Sequence, residues 1–444
     1  MVEQHIRNVW AGGSNPSFGT TKIKDLMKKK LEFYSEKKLS QIFKILNDNG
    51  ANSRVVGGAV RDALLGIKSP DIDIATEMLP DDIYNLFLSK GYKTVPTGIN
   101  HGTVSVFCGE VKFEITTLRK DIKTYGRHAE VKFTDDFKED ALRRDFTINA
   151  LSYDFYEEKI YDYFNGLQDL DHKIVRFIGN PADRIQEDYL RILRFFRFST
   201  YYSNELDSKG FIGCKKYASM LLNISPERVN QELSKILLCK KNISYVIRLM
   251  NESGVLEIIF SDQVDITGIL NFEEKSSEHF NVTDNVLALR LAFLLFTLGR
   301  NFIRNLVKTL RFNKKTITHT LIFYDFICKI IDSNDKKEIY LQICMFWYYH
   351  GEYIKDILYI SFVLSKIEFN ELKANYEKMK FAAPKMPILS EELKKDGYSG
   401  INLGIRKKYL EKKWIESGFS IPKDELIKLK EGYDIKCSNQ KTKK

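Results

Sequence analysis

The chain lacks any run approaching eighteen apolar residues, so no transmembrane helix is expected. Its six cysteines are scattered, with no C-x-x-C pair. That excludes the spacing of a structural zinc site and offers no disulfide framework. Reduced thiols and a cytoplasmic location are the expectation. The N-terminus contains Glu3 and has no apolar h-region, so it does not read as a secretory signal. It leaves room for an organelle transit peptide, which makes a mitochondrial address the alternative. No fixed-period repeat is present, and the seven histidines read as ordinary surface or core residues.

What is there is a chain of 444 residues, 43% hydrophobic, with a formal net charge of +10. The length allows two to four domains with a substantial core. The hydrophobic content excludes a disordered chain. The charge favours a polyanionic partner, nucleic acid first and an anionic membrane second.

Patterning changes along the chain. Residues 1–30 are poorly patterned, and residues 31–165 mix strand and helix signals. Val55-Val56 reads as a short buried strand, Ala59 to Leu65 as a helix stopped near Gly66, and Asp71 to Ala75 as a strand. A helix is expected over Pro80 to Ser89, with Pro80 in its first turn. Residues 103–107 and 111–118 alternate like paired strands around Gly109. Residues 119–136 are polar, contain Gly126 and read as a mobile loop. Beyond about 166 strand signals fade, and helices are expected over 181–202, 226–251, 284–312, 316–333 and 338–365. Leu287, Leu291, Leu294 and Leu298 fit one core-facing stripe. Pro384 and Pro387 mark a softer junction, and residues 402–444 hold twelve Lys/Arg against six Asp/Glu. The fold class is α+β: a small mixed-sheet head followed by an all-helical remainder.

The segment carrying most chemistry runs from Arg54 through Gly57-Gly58 and Arg61-Asp62 to Asp71-Ile72-Asp73. Glycines let a backbone approach phosphates closely. Residues i and i+2 of a strand share a face, so Asp71 and Asp73 can grip one cation between them. Hard oxygen ligands beside substrate phosphates suit Mg²⁺. Glu114 lies in a strand-like run and is a candidate third carboxylate, either for the metal or as acceptor of a hydroxyl proton. Its alternative is an ordinary exposed strand glutamate. Arg143 and Arg144 can fork onto a triphosphate or ribose, while Asp145 orients one of them or meets a sugar hydroxyl. Helical spacing puts Arg184, Asp188, Arg191 and Arg194 along one side, with Ile185, Tyr189, Ile192 and Phe196 as an apolar stripe. A carboxylate beside a guanidinium can meet a base edge, and Arg194 and Arg197 can hold the triphosphate. Ser225 and Pro226 read as a helix cap and first position, a structural role.

Gly57-Gly58-x-Val60-Arg61-Asp62, Asp71-x-Asp73, Arg143-Arg144-Asp145 and Glu187-Asp188-x-x-Arg191 occur in that order. Phe113 to Arg119 and Tyr161 to Gly166 join them. Together they resemble the class II tRNA nucleotidyltransferase (CCA-adding) and bacterial poly(A) polymerase family, most strongly over about 54–235. The resemblance implies a polymerase-beta-like head over 31–165, a nucleotide-selecting neck over 166–250, a helical body over 251–380 and a basic, tRNA-binding tail over 381–444. It implies that Asp71 and Asp73 bind catalytic metal, with Glu114 as third carboxylate. Gly58, Arg61, Arg143, Arg144 and Asp145 would contact the nucleotide. Asp188 and Arg191 would select CTP or ATP, helped by Arg194 and Arg197. The implied reaction adds CCA to the 3′ end of tRNA, the 3′-hydroxyl attacking the α-phosphorus as pyrophosphate leaves. The acceptor arm of tRNA is the implied partner.

Poly(A) polymerase is the runner-up, since both activities share the head. CC-only or A-only addition is a further alternative, and the long 119–136 segment favours the full reaction, because CC-only members have a shortened loop there. A catalytically silent RNA-binding protein would have lost a metal carboxylate, whereas both aspartates are present. The fused phosphohydrolase of some bacterial relatives needs a His-Asp dipeptide, and only the reversed Asp171-His172 occurs.

Overall fold

A computed structural model describes residues 36–67, 72–125, 128–279, 284–381 and 383–429. The N-terminal segment 1–30, Asp71 and Gly126 lie outside the described residues, as does Cys437; the other five cysteines are free thiols. The chain divides into two compact units, one ending at Gln263 and one beginning at Val264.

The first unit is built on a seven-stranded mixed sheet in the order β3-β4-β5-β2-β1-β8-β9. Its strands are β1 (Ser53–Val56), β2 (Ile72–Thr76), β3 (Lys93–Gly98), β4 (Thr103–Cys108), β5 (Val111–Thr117), β8 (Ser152–Asp154) and β9 (Lys159–Tyr161). Val55, Ile74, Val104, Val106, Phe113 and Ile115 are fully buried, which explains the apolar alternation of these runs. Helices α1 (Glu36–Asp48), α2 (Gly58–Leu65) and α3 (Pro80–Ser89) interleave with the first strands. Gly66, in the left-handed region, ends α2, and Pro80 opens α3. The pairing of β4 with β5 runs antiparallel across Gly109, as the alternation predicts.

The 119–136 segment is not a loop. It forms a separate two-stranded hairpin, β6 (Arg119–Tyr125) with β7 (His128–Phe133). It reads as loop because Lys120, Asp121, Lys123, Glu130 and Lys132 fall within it, and a two-stranded ribbon needs only its backbone bonds to form. Its base is fixed by Lys120 on Glu139 (3.0 Å) and by the Thr134 hydroxyl donating to Glu139 (2.7 Å).

After α4 (Phe137–Leu142) and α5 (Gly166–Asp171), the expected 181–202 helix is two helices, α6 (Pro181–Glu187) and α7 (Arg191–Tyr202). Asp188 is extended, at φ −154°, and its Oδ1 accepts the Leu190 N–H at 3.1 Å. Side-chain capture of a nearby amide competes with helix continuation. Arg191 Nη1 reaches back to the Arg184 carbonyl (2.8 Å), satisfying one of the bonds the break leaves open. Tyr189 therefore leaves the predicted stripe and is half-buried, whereas Ile185, Ile192 and Phe196 are core.

The remainder of this unit is helical except for β10 (Ile174–Val175), which pairs in parallel with β11 (Glu205–Leu206). Helices α8 (Ser208–Tyr217), α9 (Pro226–Leu237), α10 (Ile243–Glu252) and α11 (Val255–Phe260) complete it, so the expected 226–251 helix is also split. Pro226 takes the first turn of α9, but the Ser225 side chain makes no cap bond. Stacking of Phe177 on Phe195 (5.4 Å between centroids) and the tilted contact of Phe146 with Phe177 (4.9 Å) fix α7 against the segment after α4.

The second unit is helical throughout its described residues. It contains α12 (Thr267–His279), α13 (Val286–Leu295), α14 (Arg300–Thr309), α15 (Lys314–Ile330), α16 (Lys336–Tyr349), α17 (Ile354–Val363), α18 (Phe369–Met379), α19 (Ser390–Lys395), α20 (Gly400–Glu416) and α21 (Lys423–Leu426). The expected 284–312 and 338–365 helices are each interrupted, at Gly299 and Gly351. Leu291 and Leu294 are fully buried, but α13 is buried nearly all round rather than along one stripe. Its Arg290 is neutralised by Glu273 at 2.6 Å. Ile388, Leu393, Leu410, Trp414 and Leu426 form a small core beyond the proline junction. Among the described residues no helix is long and apolar enough to cross a membrane.

Candidate active site

The site grows from one turn. β1 ends at Val56, and Gly57 turns the chain into α2 with φ +71° and ψ −129°, a conformation that glycine adopts without penalty. The Gly57 N–H donates to the Leu151 carbonyl (3.0 Å), pinning the turn to the sheet. A Cβ on Gly57 would lie 2.6 Å from Arg144 Nη1, so the missing side chain is what lets the guanidinium in. Gly57→Ala is expected to displace Arg144, to strain the backbone by about 1–3 kcal/mol and to lower Tm. Thermal unfolding checks this, and an unchanged Tm contradicts it.

Around this turn lies an open cleft of about 480 Å³. Its lining draws Gly57, Gly58 and Arg61 from the turn and α2, Asp73 from β2, Arg143, Arg144 and Asp145 from the segment after α4, and Asp188, Arg191 and Arg194 from the break before α7 and from α7 itself. Six arginines face three aspartates in this lining, which suits a polyanion.

Each arginine is held. Buried Asp140, on α4, takes Arg143 Nε at 2.8 Å and Arg144 Nη2 at 3.2 Å. Burial would raise its pKa, but the two guanidiniums beside it hold the carboxyl below the usual range. Asp145 does not orient either of those arginines. It accepts Arg194 Nε (2.7 Å), Asn149 Nδ2 (2.9 Å) and the Phe146 N–H (2.9 Å). Burial works against its charge, yet Arg194 and these bonds bring its pKa down to about 2.

A carboxyl depressed in the folded state stabilises above its unfolded pKa of about 3.9 and loses that contribution as pH falls through the folded value. This unit should therefore lose about 2 kcal/mol of stability between roughly pH 4 and pH 2 from Asp145 alone. Asp145→Asn should remove that part of the acid dependence and cost about 2–3 kcal/mol at neutral pH, since Arg194 keeps 32% of its side chain in water. Urea unfolding across pH reads both effects, and an Asp145→Asn curve parallel to wild type contradicts them.

Arg61 lies in the same cleft, with Nε on Asp62 Oδ1 at 2.9 Å and Nη1 on the Asn149 side-chain carbonyl. Arg184 Nη2 caps the Arg143 (2.6 Å) and Arg144 (2.5 Å) carbonyls, so it supports the site from behind. The side chains of Asp188 and Arg191 go to other partners, although the Arg191 N–H donates to the Asp188 carbonyl at 3.0 Å. Asp188 Oδ2 accepts Arg228 Nη2 at 2.6 Å, and Arg191 Nη1 meets Glu187 at 2.5 Å.

Glu114 and Arg197 do not line the cleft. Glu114 is one third exposed and bonded to Lys112 Nζ at 2.5 Å. Arg197 meets buried Glu232 at 2.5 Å and lies over the Phe198 ring.

The poly A polymerase head-domain model matches residues 53–176, and the model for a probable RNA- and SrmB-binding site of polymerase A matches residues 205–266. Mouse mitochondrial CCA tRNA nucleotidyltransferase 1 is 33% identical over 399 residues, covering 84% of this chain and 85% of the mouse protein. The chain belongs to the CCA-adding tRNA nucleotidyltransferase family. The CCA-adding enzyme of Ligilactobacillus salivarius is 32% identical, covering 80% of this chain and 86% of its own length. The crystal structure of the Bacillus stearothermophilus CCA-adding enzyme with CTP superposes with a TM-score of 0.64 at 23% identity, covering 85% of this chain and 92% of that one. That last likeness supports the fold: a mixed-sheet head with a mostly helical remainder.

Nucleotidyltransferases of this head fold generally use divalent metal, which is therefore the implied cofactor. Among the described residues no cluster of three or more His, Cys, Asp or Glu side chains could hold one, and Asp71 lies outside them. The donor chemistry nonetheless fits. Asp73 faces the cleft, and the parallel register of β2 with β5 sets Asp73 directly beside Glu114 on the same face.

Sequence reasoning missed four residues that line or support this cleft. Asp140 had a readable signal, since it stands three and four residues before Arg143 and Arg144. Asn149 lay inside the Arg143–Leu151 run without a role. Phe198 is hidden in an aromatic-rich helix. Arg228 is forty residues from the Asp188 it neutralises, and no local pattern links them.

Proposed function

We propose that this chain adds CCA to the 3′ end of tRNA from CTP and ATP, in the cleft between the glycine turn and α7. The observation that carries the reading is a single lining that holds both a phosphate cradle (Gly57, Gly58, Arg61) and a base-edge pair (Asp188, Arg191).

The start of α2 offers backbone N–H groups to a triphosphate, and no acidic side chain stands in its first turn to compete. Arg61 and Arg144 fork onto phosphate oxygens, while Arg143 and Arg194 hold the positive field around them. Asp73, with Asp71 and Glu114, would hold a divalent ion, and hard carboxylate oxygens suit Mg²⁺. Such an ion supplies Lewis acidity at the α-phosphate and favours ionisation of the attacking 3′-hydroxyl. Glu114 would exchange its Lys112 partner for that role. Arg197 acts indirectly, by fixing α7 to Glu232 on α9.

The base edge decides the nucleotide. Cytosine and adenine each present an exocyclic amine beside a ring acceptor; uracil and guanine present the reverse. A carboxylate acceptor (Asp188) beside a guanidinium donor (Arg191) therefore accepts C and A and opposes U and G. The head-domain match over 53–176 supports a catalytic head, which we read as 31–165, followed by a neck over 166–250 and a body over 251–380. The lysines of α20 support tRNA binding by the tail over 381–444. The activity is read as cytoplasmic, with a mitochondrial site the alternative that the names of the animal relatives favour.

The test is a tRNA transcript ending at its discriminator base, incubated with CTP alone, ATP alone and both. CTP alone should add two residues, and both together should add CCA and stop. A long A tract from ATP alone, on tRNA or on generic RNA, would overturn this reading in favour of poly(A) synthesis.

A further inference from the structure

Tyr202, the last residue of α7, has no role in the reaction as described so far, yet it reaches the phosphate side of the cleft. Its hydroxyl donates to Asp62 Oδ1 at 2.9 Å. The same oxygen takes Arg61 Nε at 2.9 Å and Arg61 Nη2 at 2.8 Å. Arg61 Cζ lies 4.2 Å from the centre of the Tyr202 ring and 5.3 Å from that of Phe198. Tyr202 and Phe198 in turn stack, at 5.9 Å. Arg61 and Asp62 are both buried, at 6% and 9% exposure.

These contacts leave little freedom. One carboxylate oxygen gathers three donors, and two rings cover the guanidinium. The phenol sets the rotation of the Asp62 carboxylate, the carboxylate sets the plane of Arg61, and that plane decides which N–H groups face the cleft. Burial pushes the Tyr202 hydroxyl pKa up, so it remains a proton donor throughout the working range. Tyr202 also follows Phe198 by four residues and Arg191 by eleven on one helix, so the helix that carries the base-edge residue ends on the arginine of the phosphate cradle.

We propose that Tyr202 is a positioning residue for the incoming nucleotide, acting through Asp62 to aim the Arg61 guanidinium at the triphosphate and so locking the base-selecting helix α7 to the phosphate-binding helix α2. This rests on the reading of the cleft as a CTP and ATP site.

The test is titration calorimetry of CTP and of ATP into the full chain, with steady-state kinetics alongside. Tyr202→Phe keeps the ring and removes the hydroxyl. It should weaken both nucleotides about tenfold, the loss of one charge-assisted hydrogen bond. KM should rise with it while kcat, tRNA affinity and Tm hold, a split that a structural role would not give. Asp62→Asn should weaken both nucleotides at least as much, and should also lower Tm, because it leaves buried Arg61 without its carboxylate. In an Arg61→Lys background Tyr202→Phe should add almost nothing, because both act through one group. If wild type binds CTP and Tyr202→Phe binds it equally, or if the two losses add in full, the inference is overturned and the proposed function stands. If wild type binds neither nucleotide, both are overturned.

Discussion

Asp73→Ala is expected to lower CMP and AMP incorporation about a thousandfold or more, since a metal ligand underwrites several kcal/mol of transition-state stabilisation. The fold should survive. Asp73 is only half-buried, whereas its neighbours Ile72, Ile74 and Ala75 carry the core contacts of β2. Single-turnover incorporation read beside circular dichroism and Tm separates the two effects. Normal turnover with a native spectrum would remove the metal assignment. Loss of activity together with loss of the spectrum would show that Asp73 is structural. Glu114→Ala is the milder companion, because Glu114 stands beside Asp73 in register but is bonded to Lys112.

The second large effect is on selection. Asp188→Ala should cut kcat/KM for CTP and ATP by about ten- to a hundredfold, the worth of one base-edge contact. UTP and GTP should lose little, so selectivity narrows. The same change strips Arg228 of its carboxylate, which leaves an uncompensated cation in the cleft. Arg228→Ala tells these apart: it should change the field at Asp188 without removing the base acceptor, and so weaken C and A less. Competition between labelled nucleotides on one tRNA reads the ratio directly. Unchanged discrimination in Asp188→Ala would show that the base is read elsewhere.

How much of this was legible varied with the range of the interaction. The glycine turn, α2 with its stop at Gly66, and the β4–β5 pair follow from local conformational rules, and each appears where the residues place it. Glu114 as the sheet carboxylate near Asp73 rested on its strand-like run and on the family resemblance; the register of β2 with β5 makes it the neighbour of Asp73. The 181–202 run has uninterrupted helical periodicity, so nothing in its polarity marks the break at Asp188. The break comes from side-chain bonds to the backbone, which periodicity does not encode. It is also what places Asp188 and Arg191 in the cleft while Arg184 turns to the Arg143 and Arg144 carbonyls. The β6–β7 hairpin hid for a different reason: its charged residues fall where an apolar alternation would otherwise mark a strand. Long-range ion pairs were the least readable. Asp145 with Arg194, Asp188 with Arg228 and Arg197 with Glu232 each join segments at least thirty-five residues apart.

The most direct test is a crystal structure of the full chain with CTP and Mn²⁺, using the anomalous signal of manganese. The account predicts metal density bonded to the Asp73 carboxylate and to nucleotide phosphate oxygens. It places the triphosphate at the start of α2 beside Arg61 and the cytosine amine on Asp188. Manganese bound away from Asp73, or a base turned away from Asp188 and Arg191, would contradict it.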